Sequence, residues 1–451
     1  MSINRIPHYC RGFIAFAEKP LAKLRYNSGF IHAVVNSLRL QGFSLTLYLD
    51  FIRRSWPLLC FGFVSIFWGN FGQSFFVSWY GAHIQESLGL SAAVYGSLYS
   101  AGTLASAVTI MTVGGYIDRW PLQRFAAAVG AGLMLACLIM VASYHALTLL
   151  LGFYLLRLCG QGLLPHTAQT TMARYFDADR GKALSLSASG VPVGEVVLPL
   201  LAVALIAAVG WRGSWLVFAA SVPLLYLPLI LFFLRRAPQD TNTPPLQQAN
   251  AAHTSSKGRR YMLGDYRFWL ALPAVLAAPF IVTGVFIQQG FILSAKSWDP
   301  LWLASCFIMY GVAHWLASLL AGVLVDLFSA RRLLPVMHLP LIAALAVLAL
   351  CQGQWVAPVF MILLGSSIGV VGPITGSLWA EVYGTGKLGS LRSLMTAFMV
   401  LSTAISPVLF GALIDAGITV RGLFGSCALG TVAASILVAF SYPRATVDQL
   451  G

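Results

Sequence analysis

The sequence has 451 residues, of which 58% are hydrophobic and 9% charged, with a formal net charge of +14. Soluble domains carry about 25% charged residues, so a water-facing surface of this size is excluded and lipid must cover most of the chain. Nucleic acid is excluded as the reason for the positive charge, because the basic residues lie scattered between long apolar runs and are not gathered on one soluble face.

Residues 1–54 form a basic segment whose acids are Glu18 and Asp50. Its apolar stretches, Gly12–Ala17 and Phe43–Leu49, are too short to span a bilayer. The segment lacks the pattern of a secretory signal and reads as a cytosolic extension able to lie on the membrane surface. A hydrocarbon core about 30 Å thick needs roughly 20 apolar residues in a helix. Six runs meet that need between residues 55 and 236: Trp56–Tyr80, Ala92–Gly114, Phe125–Ser143, Thr148–Ala173, Ala183–Val209 and Trp215–Leu234. The polar stretch 237–267, with Pro238, Pro244, Pro245 and Ser255–Arg260, reads as a cytosolic linker. Six more runs follow within 268–442: Phe268–Leu293, Leu301–Val325, Leu333–Cys351, Trp355–Trp379, Leu391–Asp415 and Leu423–Tyr442. A short tail, 443–451, remains. The expected fold is an all-α membrane protein of twelve transmembrane helices.

Positive charge fixes the orientation, since cytosolic loops collect Lys and Arg. With the N-terminus inside, all Lys and Arg but four fall in inner segments; Arg212, Lys296 and Arg421 lie in outer loops and Arg157 within a span. Both termini are therefore expected in the cytosol. The halves also repeat. Asp118 and Asp326, Pro165 and Pro373, Gly181 and Gly389, and Pro199 and Pro407 share an offset of 208 residues, and each aspartate follows a glycine, Gly114 or Gly322, by four. Two pseudo-symmetric six-helix bundles, with a substrate site between them near the membrane midplane, describe one transporter architecture.

The segments Gly114–Trp120 (GGYIDRW), Gly322–Arg332 (GVLVDLFSARR), Arg157–Gly162 (RLCGQG) and Arg174–Gly190 resemble signature motifs of the major facilitator superfamily. The resemblance covers about residues 55–442. After Asp118 and Arg119 the family pattern has a glycine and further basic residues, whereas this chain has Pro121, Leu122, Gln123 and Arg124. The resemblance implies alternating access by rocking of the two bundles. Independently of it, Gly114 permits close approach of another helix, and Asp118 offers a negative charge to a helix N-terminus and to Arg119 or Arg124. Gly114, Asp118, Arg119, Gly322 and Asp326 are accordingly expected to form the gating motif.

An ionisable side chain at mid-membrane costs about 2.5–3.5 kcal/mol and usually has a partner or a duty. Arg157 lies about 25 Å above Arg174, and Glu195 about 22 Å above Arg180, by helix rise. Their matched depths on consecutive helices suggest a charge pair, either a permanent bridge or one that opens to take a proton or an anion. His314 lies about 18 Å from the inner boundary, with Tyr310 one turn away, and can carry a proton near neutral pH. Asn70 and Gln73 are read on one face of the first helix, and Gln161 one turn below Arg157. These seven residues are the candidates for solute and proton coupling; for Arg157 the resemblance also implies proton coupling or anion binding. His166 is expected to point away.

Gly181, Gly190 and Gly194 keep the glycine spacing of an antiporter motif, but Glu195 stands where that motif has proline. The RGKA segment and Gly210–Trp215 look like the monocarboxylate and oxalate–formate branches, although helix 8 lacks their carboxylate-binding arginine. The expected cargo is a small organic anion moved with protons, and the alternative is proton-coupled efflux of a drug or metabolite. The seven cysteines form no CxxC pair and read as small buried hydrophobes. No catalytic motif, metal site or cofactor is implied, and a single chain in a bacterial inner membrane is expected.

Overall fold

The structure, a computed structural model, describes residues 45–176, 179–237, 262–383 and 388–442. The chain divides into two units, Met1–Trp56 and Pro57–Gly451. Most of the expected basic extension, the linker and the tail lie outside the described residues.

All described secondary structure is helical. Helix α1 is bent by 49° between Leu49–Gly72 and Ser74–Leu88. It is followed by α2 (Ala92–Val113, tightening to a 3-10 turn at Gly114–Asp118), α3 (Leu122–Val141) and α4 (Ala146–Tyr175). The long helical stretch Arg180–Arg236 holds α5 and α6. They part at Gly210, whose φ of 72° and ψ of 167° break the helix at a backbone conformation that favours glycine. The second half comprises α7 (Tyr266–Ile287, extended after Gln288 by Gln289–Lys296), α8 (Pro300–Phe328), α9 (Leu339–Leu350), α10 (Val356–Tyr383), α11 (Leu388–Asp415) and α12 (Val420–Ala439). Among the described residues nine helices are long and apolar enough to cross a membrane, or ten with the bent α1. The division at Gly210 and the short α9 stand where the other two expected spans fall.

Large side chains face outward as well as inward: Met111 and Leu147 are each 75% exposed. Outward apolar side chains in such number mark a lipid-facing surface. Inside the first half, Phe76 and Phe218 pack edge to face with each other and with Trp215, Phe71 meets Phe218 edge to face, and the Tyr80 hydroxyl meets Ser214 Oγ at 2.8 Å, tying α1 to α6. In the second half Phe268, Trp379 and Phe398 tie α7, α10 and α11 together.

Small residues set the closest helix contacts, as expected where lipid supplies no hydrophobic drive between helices. A Cβ on Gly365 would meet the Tyr310 carbonyl, and one on Gly369 the His314 carbonyl, so α8 and α10 lie backbone to backbone. Gly190 packs in the same way against the Phe63 carbonyl of α1, and Gly194 leaves room for the Asn70 side chain.

The two halves close on each other at one end. Ser78 donates to Gln289 Oε1 at 3.3 Å, and Phe75 and Trp79 both stack on Phe307. Asp415 of α11 accepts from the backbone N–H groups of Ala92 and Ala93, and Gln288 donates to the Ala92 carbonyl. At mid-depth the halves meet again, where His314 of α8 contacts Glu195 of α5.

Candidate functional site

Helix α1 loses its regular geometry at Asn70–Gly72, a 3-10 turn, and Gln73 is extended (φ −77°, ψ 147°). Opposite this break, α4 widens into a π-helical stretch, Leu156–Leu163. Such stretches are rare and often mark functional sites. The two irregularities fit together: a Cβ on Gly72 would strike the Leu156 carbonyl and approach the Gln161 nitrogen to 2.6 Å, while one on Gly160 would meet Gly72 N at 2.7 Å. Only glycine permits this contact.

Arg157 sits on the π-helical stretch and is 7% exposed. Its Nη1 donates to the Gly72 carbonyl at 3.4 Å, and its guanidinium lies 5.2 Å from the centre of the Tyr99 ring. The expected Arg157–Glu195 pair does not form. Helix rise gave both residues similar depth but says nothing of direction, and the α1 break takes the contacts on each side. Gly72 meets α4, whereas Asn70 Nδ2 donates to the Gly190 carbonyl of α5 at 2.9 Å.

Glu195 turns instead toward the other half. It is 4% exposed, and its Oε2 lies 2.7 Å from His314 Nδ1. Gly311 of α8 makes room for the approach, since a Cβ there would stand 2.8 Å from Val196 and 3.5 Å from Glu195. Tyr310 is 2% exposed, and its ring centre lies 6.2 Å from that of His314. Glu195, His314 and Tyr310 are thus brought together, with the acid in one half and the imidazole in the other. Proton transfer along the short Glu195–His314 contact keeps the pair neutral, whereas loss of its shared proton leaves the pair with one negative charge. Arg157 adds a fixed positive charge on the far side of the α1 break.

The remaining candidates are dispersed. Asn70 and Gln73 do not share a helix face, because α1 breaks between them; Gln73 is half-buried and its carbonyl accepts from Phe76 and Val77. Gln161 is half-buried, but the π-helical turn replaces the regular turn assumed between it and Arg157. Two residues emerge that the sequence did not single out: Tyr99, under the Arg157 guanidinium, and Asp415 at the closed end. The apolar α2 run around Tyr99 carries no pattern that marks it, while an aspartate at a helix C-terminus is a visible oddity.

At the opposite end Asp118 forms an ion pair with Arg174 of α4, not with Arg119 or Arg124, and Arg174 also donates to the Ile117 carbonyl at 3.3 Å. Arg119 is exposed and lies over Tyr116. Gly114 faces a side chain and not a helix backbone: His166 Nε2 is 3.2 Å from its carbonyl, so His166 reaches the gating motif. The repeat is imperfect in the second half. Gly322 has open space beside it, and Asp326 is exposed. Glu381 of α10 instead accepts from the N–H groups of Ala330 and Arg331, while Arg331 donates to the Glu381 carbonyl. The acid and the base have exchanged helices, which the 208-residue offset of the two aspartates concealed. Among the described residues no group of three His, Cys, Asp or Glu is placed to hold a metal.

The fold is that of known carriers. Residues 58–304 match the family described as Major Facilitator Superfamily. A bacterial homologue of the human lysosomal transporter Spinster, in an inward-facing and occupied conformation, is similar over 86% of this chain and 95% of its own, at 15% identity and a TM-score of 0.62. The nucleoside transporter NupG, solved as a point mutant, is similar over 86% of this chain and 100% of its own, at 14% identity and a TM-score of 0.68. Among curated proteins none matches the sequence. With a family match across more than half its length and carriers of the same architecture beside it, the chain belongs to the Major Facilitator Superfamily and is an integral membrane transporter.

Proposed function

We propose that the chain is a secondary carrier that moves a small organic anion together with a proton by alternating access, and that Glu195 and His314 hold the proton. The observation that carries this reading is the 2.7 Å contact between a nearly buried carboxylate and an imidazole on opposite halves. A rocking motion that separates the halves must stretch this contact, so its protonation and the access state are linked. With Glu195 ionised and His314 protonated, the pair is neutral as a unit. The Arg157 guanidinium then leaves one positive charge near the midplane, matching one carboxylate on the solute. Of the glycines that suggested an antiporter, Gly190 and Gly194 pack against α1 and Gly181 has open space beside it; the symport reading rests on Glu195, which stands where the antiporter motif has proline and meets His314.

The concentration of Lys and Arg in the inner segments supports a cytosolic side for Asp118, Arg174 and both termini, and the carrier is read as one of a bacterial inner membrane. The Ala92–Asp415 end, where the halves meet through Asp415 and Gln288, is then the outer one. One chain supplies both halves, so a monomer suffices. The test is uptake of labelled lactate, oxalate and uridine into proteoliposomes, with and without an inward proton gradient. Gradient-dependent accumulation of a carboxylate supports the reading; accumulation of uridine alone, or uptake indifferent to the gradient, overturns it.

A further inference from the structure

The first turn of an α-helix leaves four backbone N–H groups without partners in the helix. At the start of α2 three of them, on Ala92, Ala93 and Val94, are capped by side chains, and two of those caps come from the other half of the molecule. Ser91 Oγ accepts from Val94 N at 3.3 Å, while the Ser91 carbonyl accepts the helix's own first bond from Tyr95 N at 3.0 Å. Ala92 N and Ala93 N donate to Asp415 Oδ1 at 3.1 Å and Oδ2 at 2.8 Å. Asp415 is the last residue of α11. A negative charge there opposes the dipole of its own helix and favours that of α2, so its electrostatic gain lies across the interface. The seam beneath it is tight: a Cβ on Gly96 would strike the Pro407 carbonyl and one on Gly411 the Ala92 carbonyl. Gln288 Nε2 donates both to Ala92 O at 3.1 Å and to Pro407 O at 3.2 Å.

We propose that Asp415 is a latch that holds this end of the carrier shut by capping α2 from the opposite half, and so sets the balance between the two access states. The latch engages only when α2 and α11 meet. It rests on the alternating-access fold and not on proton coupling at Glu195. Asp299 provides an internal control. Its carboxylate caps α8 through Leu301 N at 2.8 Å and Trp302 N at 3.1 Å, but within one half.

The experiment measures the distance between spin labels at Ser87→Cys and Ser294→Cys, one in each half at this end, in the full-length, otherwise cysteine-free carrier in nanodiscs. Asp415→Ala is expected to raise the ratio of the long-distance to the short-distance population about twofold to thirtyfold, the range implied by loss of a helix cap. Asp415→Asn, with one acceptor oxygen left, should fall between. Asp299→Ala should leave the distribution at the parent's. A distribution unchanged in Asp415→Ala, or shifted equally by Asp299→Ala, overturns the latch. Failure of Glu195→Gln to change proton coupling leaves this measurement untouched, so the two proposals fail separately.

Discussion

Replacing Glu195 by Gln removes a charge while keeping the shape. The amide oxygen still accepts from His314 Nδ1 where the carboxylate does so at 2.7 Å, and the small space at Gly311 is unchanged. The structural cost is the difference between a charge-assisted and a neutral hydrogen bond, about 1 kcal/mol, so the variant should insert and fold. The functional cost is larger. One carboxylate and one imidazole form the site, which supports one proton per solute anion, an electroneutral step. A pH difference of one unit then stores about 1.4 kcal/mol per turnover, enough for roughly tenfold accumulation. In proteoliposomes with the interior one unit more alkaline, the parent should concentrate labelled lactate toward that limit. Glu195→Gln should equilibrate near unity yet still exchange labelled for unlabelled solute, because exchange needs only binding and rocking. Near-tenfold accumulation by Glu195→Gln would refute the assignment.

Gly72→Ala should lower the melting midpoint and displace Arg157, since its Cβ meets backbone on both sides and overpacking costs about 1–3 kcal/mol; Gly115→Ala, with open space around it, should melt with the parent. Asp118→Asn should leave the carrier folded but alter transport and the labelling of cysteines placed on α4 near Arg174, and unchanged labelling with unchanged transport would remove Asp118 from the gate. A reporter fused after Leu88 should read external and one after Ala251 cytosolic; the reverse pattern inverts every assignment of inside and outside.

Composition and span length made the membrane fold legible, and the repeated aspartates and prolines exposed the two halves. Asp118, Glu195 and His314 each stood out as charged or titratable groups in apolar surroundings, so these candidates could be named from sequence. Their partners could not. Helix rise converts residue number into depth, which is why Arg157 and Glu195 looked paired, but the α1 break and the π-helical stretch of α4 decide which way each side chain turns. Neither irregularity is spelled out locally: Asn70–Gln73 contains one glycine and no proline, and Leu156–Leu163, although it holds Arg157, Gly160, Gln161 and Gly162, carries no proline and reads as a regular helix with polar residues on it. The Asp118–Arg174 pair was missed for a related reason, because nearby arginines in sequence looked sufficient while the one on α4 lies closer in space.

The central claim is that one proton crosses with each solute anion through Glu195 and His314. Its most direct test records lactate flux and lumenal pH together in proteoliposomes, with no proton gradient at the start and solute supplied outside. A ratio of one proton per lactate in the parent, falling toward zero in Glu195→Gln while exchange persists, is the predicted result. Lactate entry by the parent without any accompanying proton would contradict the account.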